Sequence, residues 1–208
     1  MKNRNEPISC VNTTMKCVAL TFDIGWGGTM TTPVLNVLQA NKINRATFFL
    51  SSPWVEKRAK LARKINAFGY EIGSHGDKHE NYTEYSNRWI INEVKKSESK
   101  IRSVTGIKCK LFRTPNGDMN TRVTNVLSSL GYRTIYWSID SKDWMNPGVS
   151  AIVQNATKNV RAGDIILLHA SDSAKQTAKA LPLIISILRR RGFHFVTVSQ
   201  LLKLKQNH

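Results

Sequence analysis

Short runs of β-branched and aromatic residues alternate with longer amphipathic stretches along the whole chain. That alternation restricts the fold to an α/β layer architecture. Val18–Phe22, Ala46–Leu50, Tyr70–Gly73, Lys110–Arg113, Arg133–Ile139, Asp164–Leu168 and Phe193–Val198 read as strands. Helices are expected from Thr32 toward Asn41, over Trp54–Phe68, Ser86–Thr105, Thr121–Leu130, Val149–Val160 and Gln176–Arg191, with a helical turn at the end. Thr32 before Pro33 has the pattern of an N-cap followed by proline at the first helical position. Gly69, Gly106, Gly131 and Gly192 stand where helices end. The chain of 208 residues is long enough for one such core. With no linker and no repeat, roughly seven βα units predict either a doubly wound sheet or a (β/α) barrel. No GxGxxG follows the first strand, which counts against a dinucleotide-binding sheet.

Both architectures collect functional side chains at the C-terminal ends of their strands. Asp23-Ile24-Gly25-Trp26 follows the first predicted strand and Ser74-His75-Gly76-Asp77-Lys78-His79 the third. Arg113-Thr114-Pro115-Asn116 follows the fourth, Asp140-Ser141-Lys142-Asp143-Trp144 the fifth and His169 the sixth. Singly, each has a plain explanation: Asp23 as a turn former, His169 as a hydrogen-bonded core histidine, Trp26 and Trp144 as packing. His75 and His79, at i and i+4, suit either a surface or a zinc ion. The information lies in the ordered set.

The 31 Lys and Arg against 14 Asp and Glu leave a net charge of +17. Such a surface suits polyanions, among them an acidic wall polymer, or is simply solvated. The basic residues are dispersed and no nucleic-acid-binding motif accompanies them, so specific nucleic-acid binding is not expected. Cys10, Cys17 and Cys109 allow one disulfide at most. No apolar run reaches the ~20 residues of a membrane span, and residues 1–17 lack the apolar stretch of a secretory signal. These residues read as a polar lead-in to a domain over 18–205.

The strand-end motifs together resemble the polysaccharide deacetylases, the NodB-homology carbohydrate esterases. The stretches Thr21–Gly27, Arg113–Asn120 (RTPNGDMN), Trp137–Gly148 (WSIDSKDWMNPG) and Gly163–Leu181 are most similar to the PdaB-type sporulation deacetylases. The resemblance spans about Val18 to Leu202 and implies a distorted (β/α) barrel that removes N-acetyl groups from cell-wall amino sugars. It implies Asp23 as general base, Arg113 holding that base ionised, His169 as general acid and Asp143 orienting it. His75 and His79 match the metal-ligand histidines. Asn116 falls at the oxyanion position, Trp144 and Leu167 in the acetyl pocket, and Trp26 where a sugar ring can stack.

The family pattern is broken at Ile24, where a second acid ordinarily supplies the third metal ligand. Two histidines alone hold a divalent metal, zinc being expected, weakly or not at all. Asp77 and Glu80 are the nearest other acids in sequence. The expected function is therefore an N-acetyl glycan deacetylase, with a catalytically impaired glycan-binding member of the fold as the alternative. The resemblance also implies an extracytoplasmic protein linked to sporulation, acting on N-acetylated wall glycan, and a monomer is expected.

Overall fold

The computed structural model describes residues 5–204, so the expected outer boundaries at residues 1–4 and 205 lie outside the described residues. Its strands are β1 (Cys17–Ile24), β2 (Thr47–Leu50), β3 (Glu71–Ser74), β4 (Leu111–Phe112), β5 (Arg133–Thr134), β6 (Ile139–Asp140), β7 (Ile165–His169) and β8 (His194–Phe195). They form one parallel sheet in the order β5-β4-β3-β2-β1-β7-β6, with β8 pairing the start of β1. The helices are α1 (Thr31–Ala40), α2 (Ser52–Lys57), α3 (Ala59–Ala67), α4 (Asn87–Thr105), α5 (Thr121–Ser129), α6 (Val149–Thr157), α7 (Thr177–Arg190) and α8 (Val198–Lys203).

The sheet curls into the expected distorted barrel. β5 and β6 are neighbours in sequence but lie at opposite ends of the strand order. Residues 135–138 join them, which limits the gap between these edges to ~18 Å. The Arg133–Ile139 strand expected from sequence is thereby broken. Its backbone changes partners: Ile135 N–H bonds the Phe112 carbonyl, Tyr136 N–H bonds Ile8, and Ser138 N–H bonds Ile165. The N-terminal segment helps to span the gap, with Ile8 bridging Ile135 and Cys10 bridging Asp164. Gly163 allows this approach, because a Cβ there would lie 1.8 Å from the Val11 carbonyl oxygen.

Alternation along β1 creates two cores. Val18, Leu20, Phe22 and Ile24 belong to the large cluster that includes Val34, Leu35 and Leu38 of α1 and Ile184, Ile185 and Leu188 of α7. Cys17 and Ala19 face the barrel interior, which Phe49, Leu111, Ile135 and Ile165 fill, and to which α8 contributes Val198 and Leu201. The expected strand over Phe193–Val198 stops early because Thr197 and Gln200 form a capping box that starts α8. Above the interior cluster, Thr21 and Asp23 continue the inward face of β1.

Two helix boundaries also differ from expectation. The helix expected over Trp54–Phe68 divides into α2 and α3 at Arg58, whose backbone leaves the helical region at φ −124° and ψ 39°. Its side-chain Nε donates to the Gly27 carbonyl at 3.2 Å. The Thr32 N-cap is not used. The N-cap falls two residues earlier, at Met30, and Thr31 donates its hydroxyl to the Ala170 carbonyl at 3.0 Å.

Candidate active site

Register brings the acid and base candidates together. Asp23 on β1 pairs with His169 on β7, and both stand at the C-terminal end of the sheet. The cavity there has a volume of about 530 Å³. Asp23, Trp26, His75, His79, Asn116, Trp144, Leu167 and His169 line it, so eight of the ten sequence-derived candidates share one cavity. The other two, Arg113 and Asp143, are fully buried behind it.

Arg113 explains how a carboxylate survives at the top of an apolar barrel. Its Nη1 donates to Asp23 Oδ1 at 2.7 Å and to Thr21 Oγ1 at 2.9 Å. Its Nε and Nη2 donate to the Ile135 and Tyr136 carbonyls, and the guanidinium lies 4.2 Å from the Phe49 ring centroid. Burial alone would raise the Asp23 pKa. The Arg113 charge, helped by His75 and His169, outweighs burial and holds the carboxyl below its ordinary 3.8. Asp23 is an ionised base.

Asp143 does the converse for His169. Its Oδ1 accepts from His169 Nδ1 at 2.7 Å, and its Oδ2 accepts the His169 backbone N–H at 2.7 Å and the Thr177 hydroxyl at 2.6 Å. Burial would lower the His169 pKa, but the bond and charge of Asp143 raise it above 6.5. Two side chains facing one cavity are therefore tuned apart, one toward proton acceptance and one toward proton donation.

Asn116 adopts a left-handed conformation, φ 58° and ψ 5°, in a 3-10 turn after β4. Gly117 and Asp118 spend their N–H groups on Thr114 and Pro115 carbonyls, which leaves the Asn116 N–H uncommitted within the turn. Gly117 has no room for a side chain, since a Cβ would meet the Trp137 ring at 2.7 Å. Trp26 and Trp144 are half exposed, at 52% and 50%, and flank the opening. Reading residues 133–139 as one strand hid Trp137, which lines the cavity because that strand breaks. Ser171 also lines it; it lies within the Gly163–Leu181 stretch, which assigned it no role.

The histidine side is built differently. Burial pushes His75 down to about 4 and lowers His79 as well, so both are neutral imidazoles near pH 7. The Arg113 carbonyl, 2.9 Å from His75 Nδ1, can only accept. The ring proton therefore sits on Nδ1, and Nε2 keeps its lone pair 4.0 Å from Asp23 Oδ2. That pair suits a metal, but the third donor is missing. Ile24 is fully buried in the helix-facing core and does not line the cavity. Asp77 is bonded to Ser52 Oγ and to Lys100 Nζ, and it does not line the cavity either. Among the described residues, no group of three or more His, Cys, Asp or Glu is placed to hold a metal ion. The donors present do not fit a three-ligand zinc site.

A sequence model of the polysaccharide deacetylase family matches residues 11–135. The chain is 36% identical to a peptidoglycan-N-acetylglucosamine deacetylase of Bacillus cereus, over 91% of this chain and 90% of the relative. Among solved structures it resembles a CE4 family pseudoenzyme from Bacillus anthracis, with TM-score 0.90 and 28% identity over 98% of this chain and 71% of that one. A mutant of that pseudoenzyme, described as having restored enzymatic activity, matches with the same TM-score of 0.90. Bacillus subtilis PdaA, a family 4 carbohydrate esterase, matches with TM-score 0.88 and 28% identity, over 97% of this chain and 87% of its own.

Proposed function

Because this chain belongs to the polysaccharide deacetylase family, we propose that it hydrolyses N-acetyl groups of peptidoglycan-type amino sugars, with Asp23 as base and His169 as acid. The observation that carries this reading is the pair of opposed ion pairs, Asp23–Arg113 and His169–Asp143, on adjacent strands beside one cavity. A module that only binds glycan has no need of a buried arginine and a buried aspartate that tune two groups in opposite directions.

In this mechanism the Asp23 carboxylate takes a proton from the attacking water, and the Asn116 N–H stabilises the oxyanion that forms on the acetyl carbonyl. The His169 imidazolium then donates its Nε2 proton to the departing amine. Asp143 keeps that ring charged and fixed in direction. Trp144 and Leu167 enclose the methyl group, and Trp26 offers a face to a sugar ring. No step passes through a metal, because the donors do not fit one. Zinc taken up by His75 and His79 alone is held weakly.

A second reading, an impaired glycan-binding member of the fold, is favoured by one observation: Ile24 is sealed in the core where the family supplies a third metal ligand. The similarity to a structure described as a pseudoenzyme supports it as well. We further infer an extracytoplasmic monomer linked to sporulation, whose positive charge attracts anionic wall polymer. Among the described residues no helix is long and apolar enough to cross a membrane. Acetate release from N-acetylated peptidoglycan fragments tests the enzymatic reading. Turnover that disappears in Asp23→Asn and His169→Ala is expected, and near-wild-type turnover in either variant refutes the assignment.

A further inference from the structure

The loop 25–30 carries Trp26 over the cavity and leads into α1. Met30, at the helix N-cap, supplies no side-chain cap, and the first turn contains no acid. The missing acceptor comes from the loop after β7, the strand beside β1. Asp172, three residues beyond His169, takes the N–H groups of Gly28 at 3.1 Å, Thr29 at 2.8 Å and Met30 at 2.9 Å on its single oxygen Oδ1. Beside it, Ser171 Oγ accepts the Gly25 N–H at 2.9 Å.

The backbone is shaped for this contact. Gly27 sits at φ +87°, and a Cβ there would lie 2.2 Å from Asp172 Cγ. Its carbonyl points to the other flank, where it accepts from Trp54 Nε1 at 2.9 Å and from Arg58 Nε. Trp26 itself is half exposed and meets the His79 ring edge-on at 5.6 Å. About half of the Trp26 surface is free of packing, so the loop backbone contributes to its direction.

We propose that Asp172 is a positioning residue: its carboxylate ties the Trp26 loop to the loop after β7, so that Trp26 presents a rigid stacking face at a fixed distance from Asp23 and His169. Three N–H donors at a helix N-terminus converge on one charged oxygen, a strong arrangement for holding backbone. A loop ordered before the glycan arrives spares the entropy of ordering it on binding. The inference rests on the glycan reading above for the identity of the ring that Trp26 meets.

The test uses the whole protein with Asp172→Ala, Asp172→Asn, Trp26→Ala and the Asp172→Ala/Trp26→Ala double variant. Amide exchange in the free protein should be at least tenfold faster at Gly28, Thr29 and Met30 in Asp172→Ala. Calorimetry with an N-acetylglucosamine oligomer should show about tenfold weaker binding for Asp172→Ala and for Trp26→Ala. The double variant should lose no more than either single one, and Asp172→Asn, which keeps an acceptor oxygen without its charge, should recover part of the affinity. KM for acetate release should rise more than kcat falls. Equal exchange rates in wild type and Asp172→Ala, or losses that multiply in the double variant, overturn the proposal. So does a wild type that binds no oligomer. A wild type that binds the oligomer without releasing acetate removes the catalytic reading and leaves this one standing.

Discussion

The two walls of the cavity are provisioned unequally. On the β1–β7 side each reactive group has a dedicated, fully buried partner: the Arg113 side chain donates four hydrogen bonds to oxygen atoms, and Asp143 uses both carboxylate oxygens. On the β3 side are two neutral histidines, of which His75 holds its Nε2 lone pair 4.0 Å from the Asp23 carboxylate, and no third donor joins them among the described residues. Buried charge is costly unless paired and hydrogen-bonded. Such pairing on one wall therefore signals a constraint that the other wall does not share. On the proposed reading the acid–base half is complete, while the histidine half has no third donor among the described residues.

The sharpest way to break that comparison is to remove the charges of the acid–base half. Asp23→Asn should cost about 10²–10⁴ in turnover, the usual scale for a general base. Arg113→Met should abolish activity too and destabilise the fold by about 3–5 kcal/mol, because it strands Asp23 without a counter-charge. Chemical denaturation of the Asp23→Asn/Arg113→Met double variant decides the cause. It should be more stable than Arg113→Met alone, since the stranded charge has gone. A double variant as unstable as the sum of its parts would mean that Arg113 matters for packing and not for pairing.

The same inequality explains what could be read from sequence. The strand-end residues were legible because the rule that functional groups gather at C-terminal strand ends is local, while Leu167 and the roles came from the family resemblance; eight of the ten candidates line the cavity. Legibility failed where long-range partners decide. Trp137 was hidden by a strand that breaks only because residues 136 and 138 bond to Ile8 and Ile165. Asp172 was invisible, since its partners lie 142–144 residues away.

The histidine half can be tested by supplying the acid. Ile24→Asp places a carboxylate where the wild-type side chain is wholly enclosed, so the zinc-free variant should lose roughly 3 kcal/mol of stability. A carboxylate without a partner gains by leaving the core. If the strand end lets it turn toward His75 and His79, zinc should restore about 2.7 kcal/mol at a hundredfold excess over its Kd. Thermal melts with zinc and with chelator measure both. A variant that zinc stabilises no more than wild type would show that the end of β1 is too rigid to offer a third ligand.

The smallest expected effect separates the two walls by sign. His75 has its folded pKa depressed to about 4 from 6.5, so the unfolded chain binds a proton that the folded protein refuses. Its contribution to stability is present above pH 6.5 and is lost as pH falls toward 4. His169 has its folded pKa raised, so its contribution is complete below 6.5 and is lost as pH rises through the folded value. Each slope is at most about 1.4 kcal/mol per pH unit for one proton. In metal-free buffer, His75→Gln should flatten the stability profile on the acid side and His169→Gln should flatten it on the alkaline side. The same charge states place the acid limb of turnover below the ordinary 3.8 of aspartate and its alkaline limb above 6.5. Profiles that flatten on the same side in both variants would mean that the two histidines share one environment, and that the division of the cavity into a paired wall and a histidine wall is wrong.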